Sequence, residues 1–226
     1  METFVKHLNL PRKIPTQARS RMMVETILTS TAKVVVKHGY QGTNTNLVAQ
    51  RAGVSVGSVY QYFPNKDALI AALHERHAQA MNRVILEVAG AHEVADLPAH
   101  LRLLVQALLH LHQQEPELHR LLDTDLANLS RSVDDLQHKA RITLSIERLL
   151  DRWRATLAHS NLHLAAWLAA QVITSMVKAY ILDSPQMSQA QIEDAISSSL
   201  IGLLCLPPAM PLATARARAQ PHSSAA

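Results

Sequence analysis

The sequence predicts an all-α protein, a small N-terminal helical module followed by a larger helical body, with about nine helices in total. Three observations carry this reading. Hydrophobic residues make up 48% of the 226-residue chain and only six residues are glycine, while Ala, Leu, Gln, Glu and Arg recur at helical rather than alternating spacing. Two very short helical segments, separated by Gly53, lie among much longer ones. Charge is uneven: nine basic residues stand against two acids up to Lys66, and the remainder holds thirteen basic residues and sixteen acids. A basic head on a mildly acidic body suits an anionic partner for the head.

Residues 1–16, with Pro11, Pro15 and several basic side chains, read as a flexible basic arm. Residues 17–70 form the head. In QARSRMMVETILTSTAKVVVKHG, Val24, Ile27, Leu28, Thr31, Val34 and Val35 share one helical face, and Gly39 is the expected stop. Thr43 is the expected N-cap of a two-turn helix that ends before Gly53. Ser55 caps a second short helix, which Pro64 ends, and Asn65 caps the long helix that follows.

Residues 71–206 form the body. Pro98 lies just inside a helix over 97–114, Pro116 opens one over 116–127, and a long amphipathic helix runs from Val133 to Ala158. Ser160 or Asn161 caps LHLAAWLAAQVITSMVKAYIL, which Ser184-Pro185 breaks. Ser188 and Gln191 form a capping box for the last helix. Residues 207–226 have no periodicity and read as a disordered tail.

The stretch Thr43–Phe63 has the pattern of a helix-turn-helix. Ala49 and Gly53 fall on one face of the first short helix, Gly53 permits the sharp turn, and Val48, Val54 and Val59 supply buried contacts between the helices. With Val59 inward, the opposite face carries Ser55, Val56, Ser58, Tyr60, Gln61 and Tyr62, and Gly57 lets the backbone approach DNA closely. Gln61 can read adenine and Val56 can touch a thymine methyl. The hydroxyls of Thr43, Thr45, Ser58 and Tyr60, and the Lys66 ammonium, suit phosphate oxygens. Phe63 is a core residue.

HGYQGTNTNLVAQRAGVSVGSVYQYFPNKDALI resembles the DNA-binding domain of TetR-family transcriptional regulators. The matching features are the Gly-Tyr after the first helix, Gly42-Thr43, Ala49, the Ala-Gly-Val turn, Gly57-Ser58-Val59-Tyr60, Tyr62-Phe63-Pro64, Lys66 and Leu69. The resemblance implies a three-helix DNA-binding head on a ligand-binding and dimerisation body. It places Thr43, Thr45 and Asn46 beside DNA, puts Val56, Gly57, Ser58, Tyr60, Gln61 and Tyr62 on the reading helix, and sets Lys66 on phosphate. The family often carries a long basic side chain at position 46 and Lys, Arg or Pro at position 56; Asn46 and Val56 depart from this, which leaves Gln61 and DNA shape as the expected basis of specificity and the bases read open. Arg12, Lys13, Arg19 and Arg21 either extend this contact into the minor groove or onto phosphates, or are solvated.

In the body, Leu164, Trp167, Leu168, Val172 and Met176 on one helix, and Ile196, Leu200 and Leu203 on the next, make the two helices apolar nearly all round. Pairing them between two copies gives a four-helix interface, with Leu164, Leu168, Val172, Ile196, Leu200 and Leu203 at its centre. The resemblance implies the same homodimer, bound to double-stranded DNA at a near-palindromic operator. Leu104, Leu108, His112, Ile146, Trp167 and Met176 are candidates to line a pocket for a small, hydrophobic effector that releases a repressor from DNA. The pairs His74/His77, His110/His112 and His159/His163 have metal-compatible spacing, but no carboxylate or cysteine completes a ligand set. They are read as solvated, with no metal and no cofactor. Cys205 is the sole cysteine, so no intrachain disulfide forms. No apolar run approaching the roughly 18 residues of a membrane span is expected, nor a membrane partner, and the default location is cytoplasmic. No nucleophile elbow, Gly-rich phosphate loop or isolated acid pair marks an enzyme. The alternatives to a regulator are a helical adaptor, or an enzyme using the body.

Overall fold

The computed structural model describes residues 17–124, 133–183 and 186–205. The arm, the tail and the Ser184-Pro185 break lie outside these residues. Among the described residues there are nine α-helices and a short 3-10 turn, and no strand. The head comprises α1 (Ala18–Gly42), α2 (Thr45–Ala52), α3 (Val56–Tyr62) and the start of α4 (Lys66–Ala89). The body comprises the rest of α4, α5 (Leu97–Gln114), α6 (Pro116–Asp123), α7 (Val133–Asp151), α8 (Leu162–Asp183) and α9 (Gln189–Cys205).

Local chemistry starts and stops these helices largely as expected. Gly39 bends α1 at φ 64°, and Gly53 ends α2 at φ 66°, a left-handed backbone that disfavours other residues. Ser55, Asn65 and Asp96 cap α3, α4 and α5 through their side-chain oxygens. Asn161 caps α8, and Ser188 and Gln191 form the reciprocal capping pair before α9. Three boundaries differ. The cap of α2 is Asn44, whose Oδ1 accepts from the Leu47 N–H at 2.9 Å, while Thr43 turns its hydroxyl back to the Gly39 carbonyl at 2.7 Å. The helix from Val133 stops at Asp151, not Ala158, and just beyond it the Arg152 guanidinium donates to the carbonyls of Ala91 and His92. The helix from Pro116 ends at Asp123.

Two apolar cores organise the chain. The head core joins Ile27, Leu28, Val35, Val48, Ala49, Val59, Phe63, Leu69 and Leu73. It also takes in Leu118 and Leu122 of α6, which follows a body helix in sequence. Residue 70 therefore lies inside α4, and two elements, α4 and α6, connect head to body. Arg76 reinforces the junction, with Glu25 of α1 at 3.0 Å and Glu115 at 3.8 Å.

The body core draws Leu104 and Leu108 from α5, Ile146 and Leu149 from α7, and Ile196, Leu200 and Leu204 from α9. From α8 it takes mostly alanines, Ala165, Ala166 and Ala169, with Ile173. Small side chains on the inner stripe let α8 pack closely against its neighbours. His100, fully buried, donates from Nε2 to the Val88 carbonyl at 2.8 Å and accepts at Nδ1 from the Trp153 indole at 2.8 Å. This network satisfies every buried polar atom of the ring and pins the end of α7 to α4 and α5.

The sequence expectation that no segment is apolar enough for a membrane span needs correcting. Leu162–Asp183, which is α8, passes by length and composition, with 33% of its apolar window buried. Its Gln171, Thr174, Ser175 and Lys178 interrupt the run, and its inner stripe belongs to the body core.

Candidate nucleic-acid interface

The helix-turn-helix forms because α2 and α3 are each too short to bury an apolar face alone. Val48, Ala49 and Val59 are buried between them, and Val54 packs against the same core. The Gly53 N–H caps α2 through the carbonyls of Ala49 and Gln50, and the Val54 N–H reaches Ala49 O at 3.1 Å, so the turn is hydrogen-bonded throughout. A Cβ at Gly53 would meet nothing within 4 Å, so the glycine answers to backbone φ and not to crowding.

The expected contact residues divide into three groups. Asn46, Ser55, Val56, Gly57, Tyr60 and Gln61 are exposed, with Val56 37% and Tyr60 41% accessible, and Ser58 is half-buried. These lie along the rim made by α2 and α3. Thr43 and Thr45 are buried, and their hydroxyls already have partners in the chain. Thr45 Oγ1 donates to Tyr60 Oη at 3.1 Å, which holds the Tyr60 ring against α2 and leaves the phenol's own proton available. The third group is Tyr62. Its placement on the reading face is corrected: it is 8% exposed and packs in the head core beside Phe63, because residues 59, 62 and 63 fall on the inward side of so short a helix. Gln50 on α2 and Asn44, the cap before it, are additional exposed polar side chains. Gln50 stands four residues after Asn46, and that spacing is the signal for a shared face.

Ser55 caps the N-terminus of α3. Its Oγ accepts from the Ser58 N–H at 3.0 Å and lies 2.8 Å from Ser58 Oγ. A Cβ at Gly57 would meet only Ser55 Oγ, at 3.7 Å. Lys66 sits at the far end of the rim. Its Nζ donates to the Tyr40 carbonyl at 3.3 Å and lies 4.1 Å from the centre of the Tyr40 ring. Tyr40 in turn donates to Asp67 at 2.6 Å; this bond, burial and the Asp67 charge push its pKa up to about 12. The head's positive charge is also divided. Lys33, Lys37 and Arg51 line an open groove of about 430 Å³ together with Glu115 and Glu117, on the side of the head that meets α6.

Of the residues expected to line an effector pocket, Leu104, Leu108, His112 and Ile146 are buried and Met176 is partly buried. Trp167 is not among them: 47% exposed, it stands on the outer face of α8 near Leu164, which is 43% exposed. Two of the residues expected at a dimer interface are also corrected. Ile196 and Leu200 are fully enclosed in the chain's own core, while Leu168, Val172 and Leu203 are partly exposed. The reason is geometric, since α9 turns its Ile192–Ile196–Leu200 stripe toward α5 and α8.

A helix-turn-helix with a polar and aromatic rim, carried on a larger helical body, is the architecture of a class of DNA-binding transcription regulators. Comparison with known proteins specifies the group. Residues 27–73 match the model of bacterial regulatory proteins, tetR family, and residues 96–197 match that of the tetracyclin repressor-like C-terminal domain. The chain belongs to the tetR family. It is 35% identical over 71 residues to the fatty acid metabolism regulator protein of Bacillus subtilis, a match covering 30% of this chain. The chain spans about a third of the length of the curated relatives it matches, 34% and 37%. In fold it is similar to a TetR-family transcriptional regulator from Pectobacterium atrosepticum, at TM-score 0.65 and 23% identity over 86% of this chain and 100% of that one. It is also similar to the protein of the SmeT–triclosan complex, at TM-score 0.66 and 17% identity over 82% and 92% of the two chains.

Proposed function

We propose that this chain is a homodimeric, cytoplasmic repressor that binds a near-palindromic operator and is released by a small hydrophobic ligand. The observation that carries the dimer is α8. It is predominantly apolar, yet the chain's own core covers its alanine-rich stripe and leaves Leu164 and Trp167 exposed. A second copy covering Leu164, Trp167, Leu168 and Val172 would remove that face from water in the two-fold manner common to homodimers. Two heads held in this way, ~34–36 Å apart, meet successive major grooves on one side of the duplex.

On this reading, Asn46, Val56, Ser58, Tyr60 and Gln61 contact DNA, with Gln61 reading a base and Tyr60 and Ser58 holding phosphate. Thr43 and Thr45 support that rim from below. The ligand acts on the junction where α4 and α6 enter the head core. A neighbour in fold solved as a triclosan complex supports a small-molecule occupant of such a body. A cavity of about 200 Å³ lies at this junction, lined by Leu73, Ala80, Leu111 and Leu118 and by the polar side chains of Arg76, His77, Gln114, Glu115 and His119. Occupying it would shift α6 against the head and change the spacing between the two heads.

The test is binding of the full chain to the DNA upstream of its own gene across a salt series. The expected result is a steep fall of affinity with salt and a retained preference for one palindromic sequence. Binding that ignores sequence would refute the regulator reading.

A further inference from the structure

Three histidines from three helices converge at the head–body junction. His77 comes from α4, His112 from the end of α5 and His119 from α6. Ring centroids are 5.2 Å apart for His77 and His112, 4.3 Å for His77 and His119, and 4.7 Å for His112 and His119. One ring nitrogen of each lies within 4.8 Å of the other two. His112 and His119 are buried and His77 is partly buried. The sequence expectation that histidines at such spacings are solvated is corrected here. The third member, His119, comes from a different helix, which sequence spacing could not pair with the other two.

The ring nitrogens are prepared for a ligand in two ways. His112 donates from Nδ1 to the Leu108 carbonyl at 2.7 Å, which fixes the orientation of its ring. His119 Nδ1 is buried with no hydrogen-bond partner, an arrangement that native structures seldom leave without a purpose.

We propose that His77, His112 and His119 bind one divalent transition-metal ion of the class that prefers imidazole, such as Zn²⁺, Co²⁺ or Ni²⁺. Three nitrogens with no carboxylate or thiolate among them do not suit Mg²⁺ or Ca²⁺, and they leave a fourth position for water. The cavity lined by Arg76, His77, Glu115 and His119 supplies that position and a path to it. Tetrahedral coordination at ~2.0–2.1 Å requires nitrogens roughly 3.4 Å apart, a contraction that side-chain torsions can provide. The ion would tie the α5 end of the body to α6, whose Leu118 and Leu122 sit in the head core. Metal binding would thereby stiffen the junction through which head and body communicate.

The test uses the full-length protein, freed of metal with a chelator and titrated with Co²⁺ and then Zn²⁺. The expected result is one Co²⁺ per chain with the intense visible bands of a tetrahedral site, displaced by Zn²⁺, and a higher Tm in Zn²⁺. His77→Gln and His119→Gln should each weaken Co²⁺ binding at least about tenfold, while His110→Gln, on the exposed side of α5, leaves it unchanged. Imidazole ¹⁵N NMR of the unaltered chain gives a readout that needs no variant, with three ring signals shifting at one equivalent of Zn²⁺. Absence of saturable binding at one ion per chain, unshifted ring signals, or wild-type affinity in both histidine variants would each overturn the site.

Discussion

The Thr45 hydroxyl donates a 3.1 Å hydrogen bond to the Tyr60 hydroxyl, joining α2 to α3 along the exposed rim of the helix-turn-helix. The bond fixes the aromatic ring and leaves the phenol's own proton unused by Thr45. Tyr60→Phe removes both the bond and that proton, so it should weaken operator binding by about 1–2 kcal/mol, uniformly across operator variants. Thr45→Val removes only the bond and should cost less. Fluorescence anisotropy with a panel of operator duplexes measures both. Unchanged affinity in Tyr60→Phe would reassign the ring to packing.

Gln61 is exposed and its amide has both a donor and an acceptor, the pair that adenine presents in the major groove. Gln61→Ala should cost ~1–3 kcal/mol on the preferred operator and flatten the preference at one base position. The same panel of duplexes separates this from Tyr60→Phe, which should leave the ranking of operators intact. Equal losses on all operators would place Gln61 on the backbone instead.

Tyr40 and Asp67 make a pH-dependent link between α1 and α4. The hydrogen bond to Asp67 raises the Tyr40 phenol from 10.0 to about 12. The folded chain therefore keeps a proton that the unfolded chain releases. The stabilisation is complete below pH 10 and is lost as pH rises through the window from 10 to about 12. Phenolate absorbance of the wild type minus that of Tyr40→Phe should show one group ionising near the upper end of that window. A difference curve centred at 10 would show that the Asp67 bond does not hold in solution.

The two apolar stripes of the C-terminal helices should respond differently to substitution. Trp167→Glu, on the exposed face of α8, should yield monomers by light scattering with little change in the helical signal. Ile196→Ala, at 1% exposure in the chain's own core, should lower stability by ~2–5 kcal/mol in urea and leave the association of the folded chain intact. A dimer that survives Trp167→Glu would refute α8 as the interface.

Most helix starts and caps, and the helix-turn-helix, were legible from residue order, because each is set within one or two turns of chain. Ser55, Gly53, Asn65 and the Ser188–Gln191 pair act on backbone groups three or four residues away, so their spacing alone identifies them. Asn44 displaced Thr43 as the cap because either oxygen can reach an N–H: Asn44 Oδ1 takes the Leu47 N–H while the Thr43 hydroxyl donates to the Gly39 carbonyl. Tyr62 misled because a seven-residue helix shows too little periodicity to divide its faces.

The sequence by itself determined the helical class, the head that carries the DNA-reading motif, and the polar residues on its rim, all of them short-range consequences of spacing and side-chain type. Only the tertiary structure decided which apolar stripe of α8 and α9 faces the chain's own core, how α6 returns to complete the head core, and that His77, His112 and His119 meet. These depend on how helices distant in sequence pack, and a helix that is apolar on every side offers no pattern from which that orientation can be read.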